Sequence, residues 1–250
     1  MSLSSGVSYR VTGSGPLLIY ISGLDGTGEL FFKQTPELST SYRVVTFRQR
    51  ERGEFTYEDL VGDVAAIIDD LGEQRATLVG ESFGGTIALS FALLHPSRVE
   101  RLIVLNSFPR YRGRLRIHAV RILNSLLPFR STRPLRVAAN LLGLYMDGVS
   151  AADRRRFFEA AGTVEGRAYL RRLNLIAGFN VLDRLHEIAS PALFIAAQRD
   201  IVVPSKKEAR VMSERVPGAR MLLLRGVGHG CLLGNRVRLA EILDRWKSEA

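Results

Sequence analysis

The chain has 250 residues, 46% hydrophobic and 24% charged, which is the balance of a globular α/β protein of one domain with room for an insertion. No uncharged run reaches the ~18 residues of a membrane span, and residues 1–6 lack the apolar stretch of a signal peptide. The single cysteine, Cys231, excludes an intrachain disulfide and fits a reducing, cytoplasmic setting. The formal charge is +10, and all of it lies between residues 107 and 186, where fifteen arginines and no lysine face five acidic residues. Elsewhere twenty basic and twenty acidic residues cancel. Such a basic segment draws anionic substrates or an anionic membrane surface, or is a solvated face. It carries no aromatic-interleaved basic motif, which argues against nucleic acid as partner.

Short apolar runs alternate with helical patterns through the first half, the signature of βα units. Residues 7–12 and 17–21 read as strands around Gly13-Ser14-Gly15-Pro16, and 42–47 as another. Tyr57, Leu60, Val61, Val64, Ile67, Ile68 and Leu71 recur at helical spacing, and Gly72 can stop that helix. Residues 76–79 form a short buried strand, 86–94 a helix ending before Pro96, and 102–105 the next strand. From 107 to 186 no strand pattern appears. Leu115, Ile117, Val120, Leu123, Leu126 and Leu127 suit an amphipathic helix, Pro128 and Pro134 interrupt the segment, and 154–175 is helical again. The expected organisation is a core of residues 1–106 and 187–250 with an Arg-rich helical cap at 107–186. The core resumes with strand 192–196, helix 205–216, strand 221–224 and helix 237–246.

Gly80-Glu81-Ser82-Phe83-Gly84 has the form G-x-S-x-G, entered by a strand and left by a helix. A serine on so sharp a turn leaves no room for side chains two residues before and after it, hence Gly80 and Gly84. A serine hydroxyl needs a base. Of four histidines, His95 sits at a helix end, His118 and His186 lie in the cap segment, and His229 lies in Gly226-Val227-Gly228-His229-Gly230 after a late strand. The small neighbours of His229 let an imidazole project from a tight loop. The carboxylate that orients it is expected at Asp200, just beyond strand 192–196, with Asp25 and Asp183 as rivals. The oxyanion is expected to meet the backbone N–H of Phe83 and that of Leu24, in the glycine-rich loop 22–28. Scattered histidines and one cysteine supply no metal-ligand pair, so neither metal nor cofactor is expected. Cys231 reads as packing.

These motifs together, Gly23-Leu24, the GESFGG elbow (80–85), AAQRDIVVP (196–204) and GVGHG (226–230), resemble the α/β-hydrolase superfamily over nearly the full chain. The resemblance implies an eight-stranded, mostly parallel sheet flanked by helices, with a helical lid after the sixth strand, a cofactor-free triad of Ser82, Asp200 and His229, and a small-molecule ester or related acyl substrate. Ser22-Gly23 stands where members often carry His-Gly, and the short N-terminus implies that the first strand is missing. The stretch GLDGTG (23–28) is similar to that of some esterases and of plant phytyl-ester synthase-like acyltransferases. Ester hydrolysis through an acyl-enzyme is the leading expectation. Acyl transfer, carbon–carbon bond hydrolysis and perhydrolysis use the same triad, and a non-catalytic small-molecule receptor uses the same scaffold.

Overall fold

The computed structural model describes residues 6–113 and 149–248, together with Met1 and Ile122. Seven strands lie among them: β1 (Tyr9–Thr12), β2 (Leu17–Ile21), β3 (Arg43–Phe47), β4 (Ala76–Glu81), β5 (Val99–Leu105), β6 (Ala192–Ala197) and β7 (Arg220–Leu224). They form one sheet in the order β1-β3-β2-β4-β5-β6-β7. Only β1 runs antiparallel, against β3. The segment after the fifth of these strands thus takes the position that an eight-stranded sheet has after its sixth.

Both faces of the sheet are covered, so the central strands are apolar on both sides. Along β2, Leu17, Ile19 and Ile21 join the core on one face, and Leu18 and Tyr20 join the core on the other. The first face is covered by α2 (Tyr57–Asp70), α3 (Phe83–Leu94) and α6 (Ser205–Arg215), the second by α1 (Thr35–Leu38) and α7 (Leu239–Ser248). Helix α2 starts with a capping box: Thr56 Oγ1 accepts from Asp59 N, and Asp59 Oδ2 accepts from Thr56 N. It ends at Gly72, which takes φ 70°.

Between β5 and β6 lie α4 (Ala151–Gly162) and α5 (Gly166–Gly178). The single helix expected over 154–175 is therefore two. Gly162, Thr163 and Val164 are weak helix formers, and the Thr163 hydroxyl turns back to the Ala160 carbonyl at 2.7 Å. Helix α5 buries Ala168, Leu173 and Ile176 in the first core, while Phe157 and Ala160 of α4 pack with Leu30, Val149 and Leu233. The apolar pattern from Leu115 to Leu127, with Pro128, Pro134 and His118, lies outside the described residues. Among the described residues no helix is long and apolar enough to cross a membrane.

Candidate active site

Parallel strands all deliver their C-terminal ends to one edge, and the loops beyond β2, β4, β5, β6 and β7 meet there. Ser82 is the single residue between β4 and α3, and it takes φ 54°, ψ −118°. A non-glycine residue there stores roughly 1–3 kcal/mol of strain, held only because its surroundings determine it. The surroundings are specific. Ser82 N donates to the Leu105 carbonyl at 2.9 Å, and the Ser82 carbonyl accepts from Gly85 N at 3.0 Å and from the Ser107 hydroxyl at 2.7 Å. A Cβ on Gly80 would stand 2.6 Å from the Gly84 carbonyl oxygen, and one on Gly84 would stand 2.0 Å from the Ile21 carbonyl oxygen. The helix begins at Phe83 rather than at 86, so the Phe83 N–H opens it and has no carbonyl one turn earlier to bond.

His229 is buried in the loop after β7. Its Nε2 lies 3.0 Å from Ser82 Oγ, and its Nδ1 lies 2.8 Å from Asp200 Oδ2. The other carboxylate oxygen of Asp200 accepts from Val202 N at 2.9 Å and Val203 N at 3.0 Å, which fixes its rotamer. The two loops are laced together, since Arg199 N donates to the Val227 carbonyl and Gly226 N to the Gln198 side chain. Desolvation would depress the His229 pKa, but the Asp200 hydrogen bond and charge, with the Glu81 carboxylate, outweigh it and raise it above its usual value.

The rivals go elsewhere. Asp25 Oδ1 accepts from the N–H and hydroxyl of its own neighbour Thr27 at 2.9 and 2.6 Å, and Asp183 is largely exposed near Arg215. His95 packs against the Phe91 ring, and His186 is an exposed residue of the short 3₁₀ helix Leu182–Glu187. Burial pushes the Cys231 thiol well up, so it stays protonated and packs. Among the described residues no three His, Cys, Asp or Glu side chains converge so as to hold a metal ion.

Leu24 is the first central residue of a turn closed by Gly26 N donating to the Gly23 carbonyl at 3.0 Å, and its own N–H takes no part in that bond. From the core side Gln49 holds the loop: its N–H donates to the Gly26 carbonyl and its Nε2 to the Ser22 carbonyl, both at 2.8 Å. Gly23 lies against the elbow, and a Cβ there would stand 3.4 Å from Ser82 Cβ. The loop and the start of α3 therefore flank the serine.

Three neighbours carried no sequence signal of their role. Asn106, fully buried at φ 49°, donates from Nδ2 to the His229 carbonyl at 2.9 Å and accepts at Oδ1 from Ala197 N at 2.8 Å. A lone amide after an apolar strand was the only hint. Glu81, the variable position of the elbow, accepts from the Tyr20 hydroxyl, and desolvation raises its pKa to about 7. Arg172 of α5 is one arginine of fifteen in its segment, yet it is fully buried beneath the loop of Leu24.

A parallel sheet with a strained serine elbow, a buried histidine and an acid in this chain order is the architecture of one family, and the chain belongs to it: the model of the α/β hydrolase fold family matches residues 16–235. Its curated relatives include "Putative carbamate hydrolase RutD" of Caulobacter segnis, 26% identical over 245 residues and 90% of each chain. The protein of the same name from Stutzerimonas stutzeri is 26% identical over 94% of this chain and 92% of that one. Among solved structures, an esterase from Exiguobacterium antarcticum superposes with a TM-score of 0.85 over 97% of this chain and 96% of that one at 20% identity, which is a likeness of fold.

Proposed function

We propose that this protein is a serine hydrolase that cleaves a carboxylic ester through an acyl-enzyme, with Ser82 as nucleophile, His229 as general base and acid, and Asp200 as the carboxylate that orients it. The observation that carries this reading is the continuous line from Ser82 Oγ to His229 Nε2 at 3.0 Å and from His229 Nδ1 to Asp200 Oδ2 at 2.8 Å. As Ser82 Oγ bonds to the ester carbonyl carbon, its proton passes to His229 Nε2. The carbonyl oxygen becomes an oxyanion, received by the N–H groups of Phe83 and Leu24 and favoured by the positive end of α3. Collapse breaks the bond to the alcohol, which leaves with the proton from His229. Water then attacks the acyl-enzyme, His229 takes its proton, and a second collapse returns that proton to Ser82 and frees the acid.

A carbamate carbonyl is open to the same attack, and the name carried by the curated relatives makes carbamates the neighbouring acyl class to test. Residues 107–186 are read as the cap that shapes the acyl pocket. A fluorophosphonate probe should label Ser82. Ser82→Ala should abolish labelling and lower kcat on p-nitrophenyl esters by roughly 10⁴–10⁶. Asp200→Asn should fold and lose about 10⁴ through the wrong tautomer. Labelling elsewhere with full turnover by Ser82→Ala refutes the assignment, and faster turnover of a matched carbamate moves the substrate to that class.

A further inference from the structure

We infer that Arg172 is a positioning residue for the oxyanion loop, so that helix α5, between β5 and β6, helps to build the site; this rests on the serine-hydrolase reading above. Arg172 lies on α5, inside the segment between β5 and β6, and its side chain is fully buried. It meets backbone. Nη1 donates to the carbonyls of Leu24 at 3.3 Å and Asp25 at 3.2 Å, and Nη2 donates to the Arg50 carbonyl at 3.3 Å. The first two carbonyls belong to the two central residues of the turn that carries the Leu24 N–H.

A trans peptide is planar, so holding its carbonyl fixes the plane and the N–H on its opposite side. Arg172 fixes the two peptides that follow Leu24, while the Gly26-to-Gly23 bond fixes the one that precedes it. The rigid guanidinium bonds both turn carbonyls through Nη1 and the Arg50 carbonyl through Nη2 at once, a span that a lysine ammonium on a flexible stem covers less well. The turn is shaped to admit the fork. Gly26 takes φ 66°, and a Cβ there would stand 2.3 Å from the guanidinium carbon and 2.4 Å from Nη2. Burying a cation costs stability unless its donors are satisfied, and Nε finds no partner. An apolar residue would pack at this position at lower cost. What the arginine adds is a fixed turn, with a positive charge against the two peptides that follow Leu24.

The neighbouring Arg171 supplies the control. It anchors the same helix through Glu54 and the Phe55 carbonyl, away from the turn. Wild type, Arg172→Lys, Gly26→Ala and Arg171→Ala are compared by thermal melting, by ester turnover and by inhibition with phenylboronic acid, whose tetrahedral adduct places an oxygen where the oxyanion forms. Losing one oxyanion donor outright costs about 10²–10³ in kcat. A displaced donor should cost about 10–100-fold in kcat and a similar factor in boronate affinity, with KM changed less than about threefold. Arg172→Lys and Gly26→Ala should both show this, and Arg171→Ala should stay within about twofold on each measure. If Arg172→Lys does not fold, Gly26→Ala carries the test from the core side of the same contact. Folded variants with wild-type kcat and boronate affinity overturn the inference, as do equal losses in Arg171→Ala, which would mark general loosening of the segment. Wild type that fluorophosphonate does not label at Ser82 overturns the functional reading first and this inference with it.

Discussion

Glu81 sits next to the serine in the chain, and its carboxylate field acts on His229. Desolvation raises the Glu81 pKa to about 7, against the lowering pull of the Tyr20 hydroxyl and His229. As Glu81 ionises it raises the His229 pKa, so the two titrate as a coupled pair. Only neutral imidazole accepts the serine proton, so kcat/KM should climb with pH along a limb centred above the usual histidine value of about 6.5, and broader than one ionisation. Glu81→Gln removes the field: the limb should sharpen to one ionisation and move to lower pH. A midpoint that stays or rises counts against the coupling. The same carboxyl affects stability. Between its unfolded value near 4.5 and about 7 the native state holds the extra proton, so stability falls as pH rises through that window. Urea titrations of Glu81→Gln should show a flatter dependence there.

Asn106 connects elements rather than residues. It follows β5 directly, its backbone N–H donates to the Ile195 carbonyl of β6, and its side chain joins Ala197 N to the His229 carbonyl. The strand that leads to Asp200 and the loop that carries His229 are thus fixed by one buried amide. Asn106→Ala strands both partners and keeps the unfavourable φ of 49°. Each buried group left unpaired costs about 1–3 kcal/mol, so urea unfolding should show a loss of about 2–6 kcal/mol. Activity should fall with it in the surviving native fraction, because the imidazole is no longer held in register with Ser82. Stability lost without loss of kcat per folded molecule would make the amide purely structural. The elbow is fixed in a comparable way, by Leu105 and Ser107 at the end of the same strand.

Across the whole molecule the charge of the 107–186 segment divides by location. Arg112 and Arg171 pair with Glu208 and Glu54 of the core, and Arg172 is buried. Arg154, Arg155 and Arg156 of α4 stay exposed, and Arg155 and Arg156 line a groove with Glu29, Glu159 and Thr163. Exposed charge of one sign steers anionic ligands, and salt weakens the effect as the Debye length falls from about 30 Å at 0.01 M to about 10 Å at 0.1 M. For two esters of equal acyl length, one neutral and one anionic, added salt should lower kcat/KM of the anionic ester alone. Arg155→Gln should reduce that salt dependence. Equal responses of the two esters would assign these arginines to a solvated face. Binding to anionic vesicles, measured alongside, separates an interfacial substrate from a soluble one.

Sequence by itself determined what short-range sterics dictate. Gly80 is forced within the elbow itself, by a 2.6 Å approach to the Gly84 carbonyl, so that glycine was legible before any fold was known, whereas the 2.0 Å contact at Gly84 is with Ile21 of β2, which only the fold supplies. The strands followed from apolar runs and α2 from its 3.6-residue period, because both patterns are local. Ser82, Asp200 and His229 could be named from their motifs and order, but three loops, 147 residues apart at the extremes, meet only because a parallel sheet sends its strand ends to one edge. Tertiary structure added to the sequence preference for Asp200 over Asp25 the finding that the Asp25 carboxylate is occupied by Thr27. It alone showed the break in the helical stretch 154–175, and it alone distinguished Arg172 from the other described arginines of its segment. Composition assigns all fifteen the same charge, whereas burial and partners are set by packing across 148 residues of chain.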